Sequence, residues 1–376
     1  MPRVDALTGL RWWAAFFVFT YHMLVFAPIP GPAAAVLHQG FYGVTFFFVL
    51  SGFVLTWSAS SQVPQSTFYW RRFARIYPAH FVALIIAIPV FYAPTPDPQE
   101  WWVKPFSVAI LLLSVVLLQG WSNDPTILFS GNPAAWTLTC EAFFYAMHPY
   151  LSRILARARA TGALVFVGVT LGVLFGYRAV AVMFPELWLA DLPLPLVRIT
   201  EFAIGMGLAW ALRCGWRPRL HPWVGTGAMV AAIVLVAAVP HVLPGSLLSA
   251  LVGAFANEIV TVACGLAVLA IASRSLNAGT PRQLLAHPVL VKLGEWSFAF
   301  YLVHGTVVYI ALATLGVRPE SWLNLLWFAA LLVPSIVLAA LLHGWVERPL
   351  EKRMRRWKDE RDRRRTPAEP HAQGMS

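Results

Sequence analysis

Two ionisable side chains stand in an otherwise apolar stretch near the start of the chain, TGLRWWAAFFVFTYHM: Arg11 and His22. Eleven residues is about three turns of an α-helix, so both point nearly the same way, roughly 16 Å apart along the axis. An imidazole is the side chain best matched to proton transfer near neutral pH. A guanidinium is a permanent cation whose paired donors suit phosphate. A second group, Arg71, Arg72 and Arg75 in FYWRRFARIYP, puts Arg72 and Arg75 side by side if the segment is helical. A third, Glu141, Tyr145 and His148 in WTLTCEAFFYAMHP, and a fourth, Ser297, Tyr301 and His304 in SFAFYLVH, each follow i, i+4, i+7 on one helix face. Arg198 and Glu201 form a further pair three residues apart. Together these are a base, carboxylates and an anion clamp. Each also has a structural reading: snorkelling for Arg11, a hydrogen-bonded packing residue near the outer interface for His22, a helix-capping carboxylate for Glu141, packing or interfacial anchoring for Tyr145 and His148, interhelical hydrogen bonding for Ser297, Tyr301 and His304, topology for the arginine cluster and an interfacial ion pair for Arg198 with Glu201.

The elements that carry them are membrane helices. The chain has 376 residues, 59% hydrophobic and 12% charged, where soluble domains carry about 25% charged residues. Apolar runs near 7–27, 40–59, 77–93, 136–152, 162–182, 196–213, 222–239, 255–273, 289–314 and 322–345 suit the roughly 17–25 residues a crossing needs. The first lacks the small-residue end of a cleaved signal peptide. Three scattered cysteines, Cys140, Cys214 and Cys264, make no disulfide or zinc framework, and no metal is expected.

Charge decides the ambiguous run 105–121. Basic residues cluster at 71–75, 153–159, 213–219, 274–292 and 348–365, whereas the intervening loops hold little more than Lys104 and Arg318. Basic loops stay in the cytoplasm. All clusters share that side only if 105–121 dips in and returns, or lies at the interface. The expectation is an all-α polytopic membrane protein of about ten transmembrane helices, both termini cytoplasmic, with a re-entrant or interfacial helix at 105–121. Residues 1–346 form the membrane domain and 347–376 a basic, disordered cytoplasmic tail. No appended soluble domain is expected. The net charge of +11 is then topology and headgroup contact, with no nucleic-acid role.

Arg11 and His22 in the first span, GVTFFFVLSGFVLTW, FYWRRFARIYP, WTLTCEAFFYAMHP, SFAFYLVH and a final ERPL occur in an order that resembles the acyltransferase-3 family of integral membrane acyltransferases, over about residues 3–350. The resemblance implies transfer of an acyl group, often acetyl, from cytoplasmic acyl-coenzyme A to a hydroxyl. Acceptors in such a family are carbohydrates, lipid-linked glycans or small molecules. It implies a bacterial inner-membrane location and an essential first-span histidine, here His22. Arg11, Arg72 and Arg75, with Arg71 in reserve, fall to the coenzyme A phosphates, and Glu141 to orienting His22. Tyr145, His148, Tyr301, His304, Glu201 and Arg198 are pocket candidates. Cys140 beside Glu141 departs from the family pattern. His22 acting as general base and His22 carrying the acyl group covalently both remain open. The rival class is a transporter or flippase, which buried ionisable groups also suit but which has no need of a phosphate clamp.

Overall fold

The computed structural model describes residues 4–60, 63–277 and 284–365; Arg282 and residues 366–376 lie outside them. Among the described residues fifteen α-helices follow in order: α1 Asp5–Phe26, α2 Pro32–His38, α3 Gly43–Ser58, α4 Gln65–Phe91, α5 Val108–Val115, α6 Pro125–Leu128, α7 Trp136–Ala156 and α8 Ala160–Met183. Then come α9 Leu194–Arg213, α10 Pro222–Val242, α11 Leu247–Ala254, α12 Ala256–Asn277, α13 Pro288–Leu315, α14 Leu325–Leu341 and α15 Arg348–Arg365. Each of the ten expected spans falls on a long helix. Among the described residues, eight helical stretches are long and apolar enough to cross a membrane. The two that fall short of that measure, α1 and α7, carry Arg11, His22, Glu141 and His148. The protein is an all-α polytopic membrane protein.

Small residues set the closest helix crossings, as expected where lipid removes the hydrophobic drive between helices. A Cβ on Gly52 of α3 would lie 1.9 Å from the Phe202 carbonyl oxygen, and one on Gly205 of α9 would lie 1.9 Å from that of Val49. Gly294 of α13 meets the Thr8 carbonyl of α1 as closely. The second crossing fixes the site, because it aligns α13 along α1.

The basic loops gather at one end of the bundle. There Arg213 Nη1 donates to the carbonyls of Thr56 (2.6 Å) and Ala59 (3.0 Å), and Trp210 Nε1 to that of Ala158 (3.0 Å). These bonds tie the ends of α3, α7 and α9 together. We call this the basic end. At the far end, the Arg318 amide donates to Phe26 O at 2.9 Å and Asn324 Nδ2 to Pro28 O at 2.6 Å.

The 105–121 run does not cross. Its helix α5 has eight residues, about 12 Å of rise. His80 Nε2 lies 3.0 Å from Ser114 O, and Ser114 Oγ lies 2.5 Å from Ser130 Oγ. Since His80 stands eleven residues before the end of α4, the dip reaches roughly 16 Å inward from the far end. Leu117 turns the chain back in the left-handed region (φ 58°). Its polar turn is thus sealed against protein, the condition for irregular backbone at that depth.

The segment expected to be a disordered tail is helical from Arg348 to Arg365. The reason is a row of contacts to α4. Thr67 Oγ1 donates to Asp362 (2.6 Å), Trp70 Nε1 to Met354 O (2.8 Å) and Arg71 to Asp359 (3.0 Å), and Trp70 packs on Trp357 at 5.0 Å. Charge-rich composition looked like disorder, but its acids are spaced to meet the α4 cations.

Candidate active site

Three cavities run in series through the bundle. The basic-end cavity, about 570 Å³, is bounded by Arg11, Arg75, Arg348, Glu351, Lys352 and Arg355, among others. A central cavity of about 50 Å³ lies between Arg11, Phe47, Glu141, Ser297 and Tyr301. The far-end cavity, about 720 Å³, is lined by His22, Trp101, Trp102, Lys104, Arg198 and Tyr309, with Tyr301 and Val44 shared with the central one. Arg11 belongs to the first two. The helical stripe joining Arg11 to His22 therefore spans the whole series.

His22 is held by two acceptors. Its Nδ1 lies 3.0 Å from Val18 O and 3.2 Å from His304 Nε2. A carbonyl oxygen can only accept, so Nδ1 carries the hydrogen. His304 Nδ1 lies 3.0 Å from Phe300 O, so it too is the protonated nitrogen, and His304 Nε2 offers a lone pair to His22. The assignments are mutually consistent. They leave His22 Nε2 unprotonated and without a protein hydrogen bond among the described residues. A lone pair on a half-buried imidazole beside a cavity is suited to take a proton from a hydroxyl. The α1–α13 crossing at Gly294 supports this pair, and Phe300 stacks on His304 at 5.5 Å.

Glu141 does not meet His22. It lines the central cavity, and its charged neighbours are Arg11, Arg75 and Arg72. The expectation that it orients the imidazole is corrected: depth along the axis was similar, but the side chain turns toward the basic end, and His304 takes that place. Tyr145 sits between Glu141 and Arg72, whose guanidinium carbon is 6.0 Å from the Tyr145 ring centre. His148 is apart from all three cavities. It stacks on Phe68 at 5.1 Å, with Nε2 3.4 Å from Thr56 Oγ1 and from Ser152 Oγ. Tyr301 donates to Ala134 O at 3.3 Å.

The arginine cluster divides. Arg71 pairs with Asp359, and Arg75 binds Glu347 closely and Glu351 at 3.3 Å. Arg72 lies over Phe68 at 5.7 Å, its Nε buried without a partner among the described residues. Of the three, only Arg75 reaches the basic-end cavity. At the other end, Arg198 Nη1 bonds Glu201 (2.5 Å), Thr45 (3.3 Å) and Asn257, and Asn257 Nδ2 donates to Glu201 at 3.0 Å. This network fixes Arg198 at the wall of the far-end cavity.

Sequence reasoning missed Lys104 and the α15 cations. Lys104 donates to Phe129 O, and burial pushes its ammonium down to about 8. It stands near the aromatic rim of Trp101, Trp102 and Tyr309, whose rings lie 5.9–6.1 Å apart. A basic residue in a loop otherwise nearly free of them was the available signal. For Arg348, Lys352 and Arg355 it was the i, i+4, i+7 spacing. Among the described residues, no group of three or more His, Cys, Asp or Glu side chains could hold a metal ion.

The profile of a family described as an acyltransferase domain matches residues 4–344. An acyltransferase, MdmB, of Streptomyces mycarofaciens is 35% identical, with 92% of this chain and 91% of that protein covered. A peptidoglycan O-acetyltransferase, OatA, of Listeria monocytogenes is 24% identical over 93% of this chain and 56% of its own length. Nodulation protein 10 of Rhizobium leguminosarum bv. viciae is 27% identical over 82% of each. No solved structure matches.

Proposed function

The chain belongs to the acyltransferase-3 family of membrane O-acyltransferases, and on that premise we propose that it joins a donor and an acceptor from opposite faces of a bacterial cytoplasmic membrane at His22. The basic end faces the cytoplasm. Acyl-coenzyme A, with acetyl the acyl group, enters there and extends its thin pantetheine arm past Arg11 toward the central cavity. The acceptor, a carbohydrate, lipid-linked glycan or small molecule, presents a hydroxyl through the far-end cavity. A relative named for peptidoglycan O-acetylation supports the acetyl and glycan reading.

In the reaction, His22 Nε2 takes the hydroxyl proton while that oxygen forms a bond to the thioester carbonyl carbon. Tyr301, which lines both cavities, turns its hydroxyl from Ala134 O to donate to the oxyanion. Collapse breaks the carbon–sulfur bond, and the imidazolium returns its proton to the departing thiolate. His304, whose Nε2 accepts from His22 Nδ1–H, holds the tautomer and turns the ring. Glu141 offsets the charge of Arg11 along the route.

The observation that carries this reading is the serial arrangement of cavities with His22 beyond the narrow one. A space of about 50 Å³ admits a few water molecules but not a sugar ring, which disfavours passage of a solute and favours meeting of two substrates. The test is thiol release by purified protein given labelled acetyl-coenzyme A and an acceptor. Release should require the acceptor and stop in His22→Ala while donor binding persists; release undiminished in that variant would refute the assignment.

A further inference from the structure

We infer that the donor's phosphate groups are gripped by Arg348 and Lys352 of α15, and that Arg75 serves to dock that helix; this rests on the acyl-coenzyme A reading above. Coenzyme A carries a pyrophosphate and a 3′-phosphate, so its binding wall needs uncommitted cations. The arginines of α4 are committed. Arg71 is bound to Asp359, Arg75 is shared by Glu347 and Glu351, and Arg72 lies outside the basic-end cavity against two aromatic rings. An arginine already held by two carboxylates gains little from a third anion and would have to give one up.

α15 supplies what α4 lacks. Five lysine or arginine side chains line the cavity, Arg11, Arg75, Arg348, Lys352 and Arg355, beside His343 and against two carboxylates, Glu295 and Glu351. Arg355 is bound to Glu351 at 2.5 Å. Arg348 and Lys352 are exposed and have no carboxylate partner among the described residues. They are four apart, so they rise side by side on one face, about 6 Å apart along the axis. Both lie beyond residue 344, where the family match ends. The Arg75, Glu347 and Glu351 contacts, with Thr67–Asp362 and Trp70–Met354, then have a role: they hold this wall against α4.

The test compares donors that share the thioester but differ in phosphate: acetyl-coenzyme A, its 3′-dephospho form and S-acetylpantetheine. For Arg348→Gln with Lys352→Gln, the preference in kcat/KM for acetyl-coenzyme A over S-acetylpantetheine should collapse about tenfold, as expected for losing charge-assisted contacts. The loss should lie mainly in KM and shrink at high salt. Taking the ratio cancels any shared loss of folded protein, and the charge-preserving Arg348→Lys with Lys352→Arg should keep most of it. An unchanged ratio overturns the proposal. So does a loss equal for all donors that occurs in phosphatidylglycerol vesicles and not in phosphatidylcholine vesicles, since the pair would then grip lipid headgroups. A wild-type protein with no preference for acetyl-coenzyme A would overturn instead the donor reading beneath it.

Discussion

The two large cavities are built on opposite principles. The basic-end cavity is rich in charge, with Arg75 and Arg355 both bound to Glu351 of α15. The far-end cavity is walled by tryptophan, tyrosine and proline, with two cations, Arg198 and Lys104, and no acid in its lining. A charged, open vestibule suits a polyanion that must be caught from water and released again. An aromatic chamber suits a ring face. The two reactants are thus selected by different physics, and His22 and Arg11 mark where each regime ends.

Breaking the boundary itself should have the largest effect. His22→Ala should lower acceptor-dependent turnover by about 10²–10⁴, the usual share of a general base, read as kcat with donor affinity retained. Next, on the aromatic side, Arg198→Leu strands the buried carboxylate of Glu201. This should cost about 3 kcal/mol of stability, seen as a lower thermal midpoint, and Arg198→Leu with Glu201→Leu should recover most of it. A double variant as unstable as the single one would show that the pair is not the reason Arg198 is there.

His304→Leu should reduce kcat about 10- to 100-fold, by analogy with groups that orient metal-bound histidines. His304→Gln, whose amide oxygen can still accept from His22 Nδ1, should recover part of it and move the pH profile back toward wild type. Equal loss in both would assign His304 to packing. The smallest effect concerns Lys104. Its folded value near 8 lies below the ordinary lysine value, so folding disfavours its charged form. That penalty is fully present below pH 8 and is relieved as pH rises toward 10. Wild type should therefore gain thermal stability across that window relative to Lys104→Met, and parallel curves would remove burial as the cause.

Much of this was legible in the residues. Apolar run length marked the helices, and the distribution of basic residues alone made 105–121 a re-entrant or interfacial run that does not cross. What was not legible depends on rotation and lateral packing. Arg11 and His22 share a stripe because they share a helix, but His304 is 282 residues away and meets His22 only through a glycine crossing that hydropathy does not show. Glu141 was assigned from depth along its axis, which says nothing about the direction it faces. The tail was assigned from composition, although its order comes from partners some 270–295 residues distant.

Donor and acceptor, on the proposed mechanism, arrive from opposite faces and meet at one imidazole. Sealed vesicles with the protein inserted in a single orientation, labelled acetyl-coenzyme A at the basic end and an acceptor at the other, test it directly. Acetylated acceptor should form on the far side, dependent on His22, with the coenzyme retained where it was supplied. Product formed only when both substrates share one compartment would contradict it.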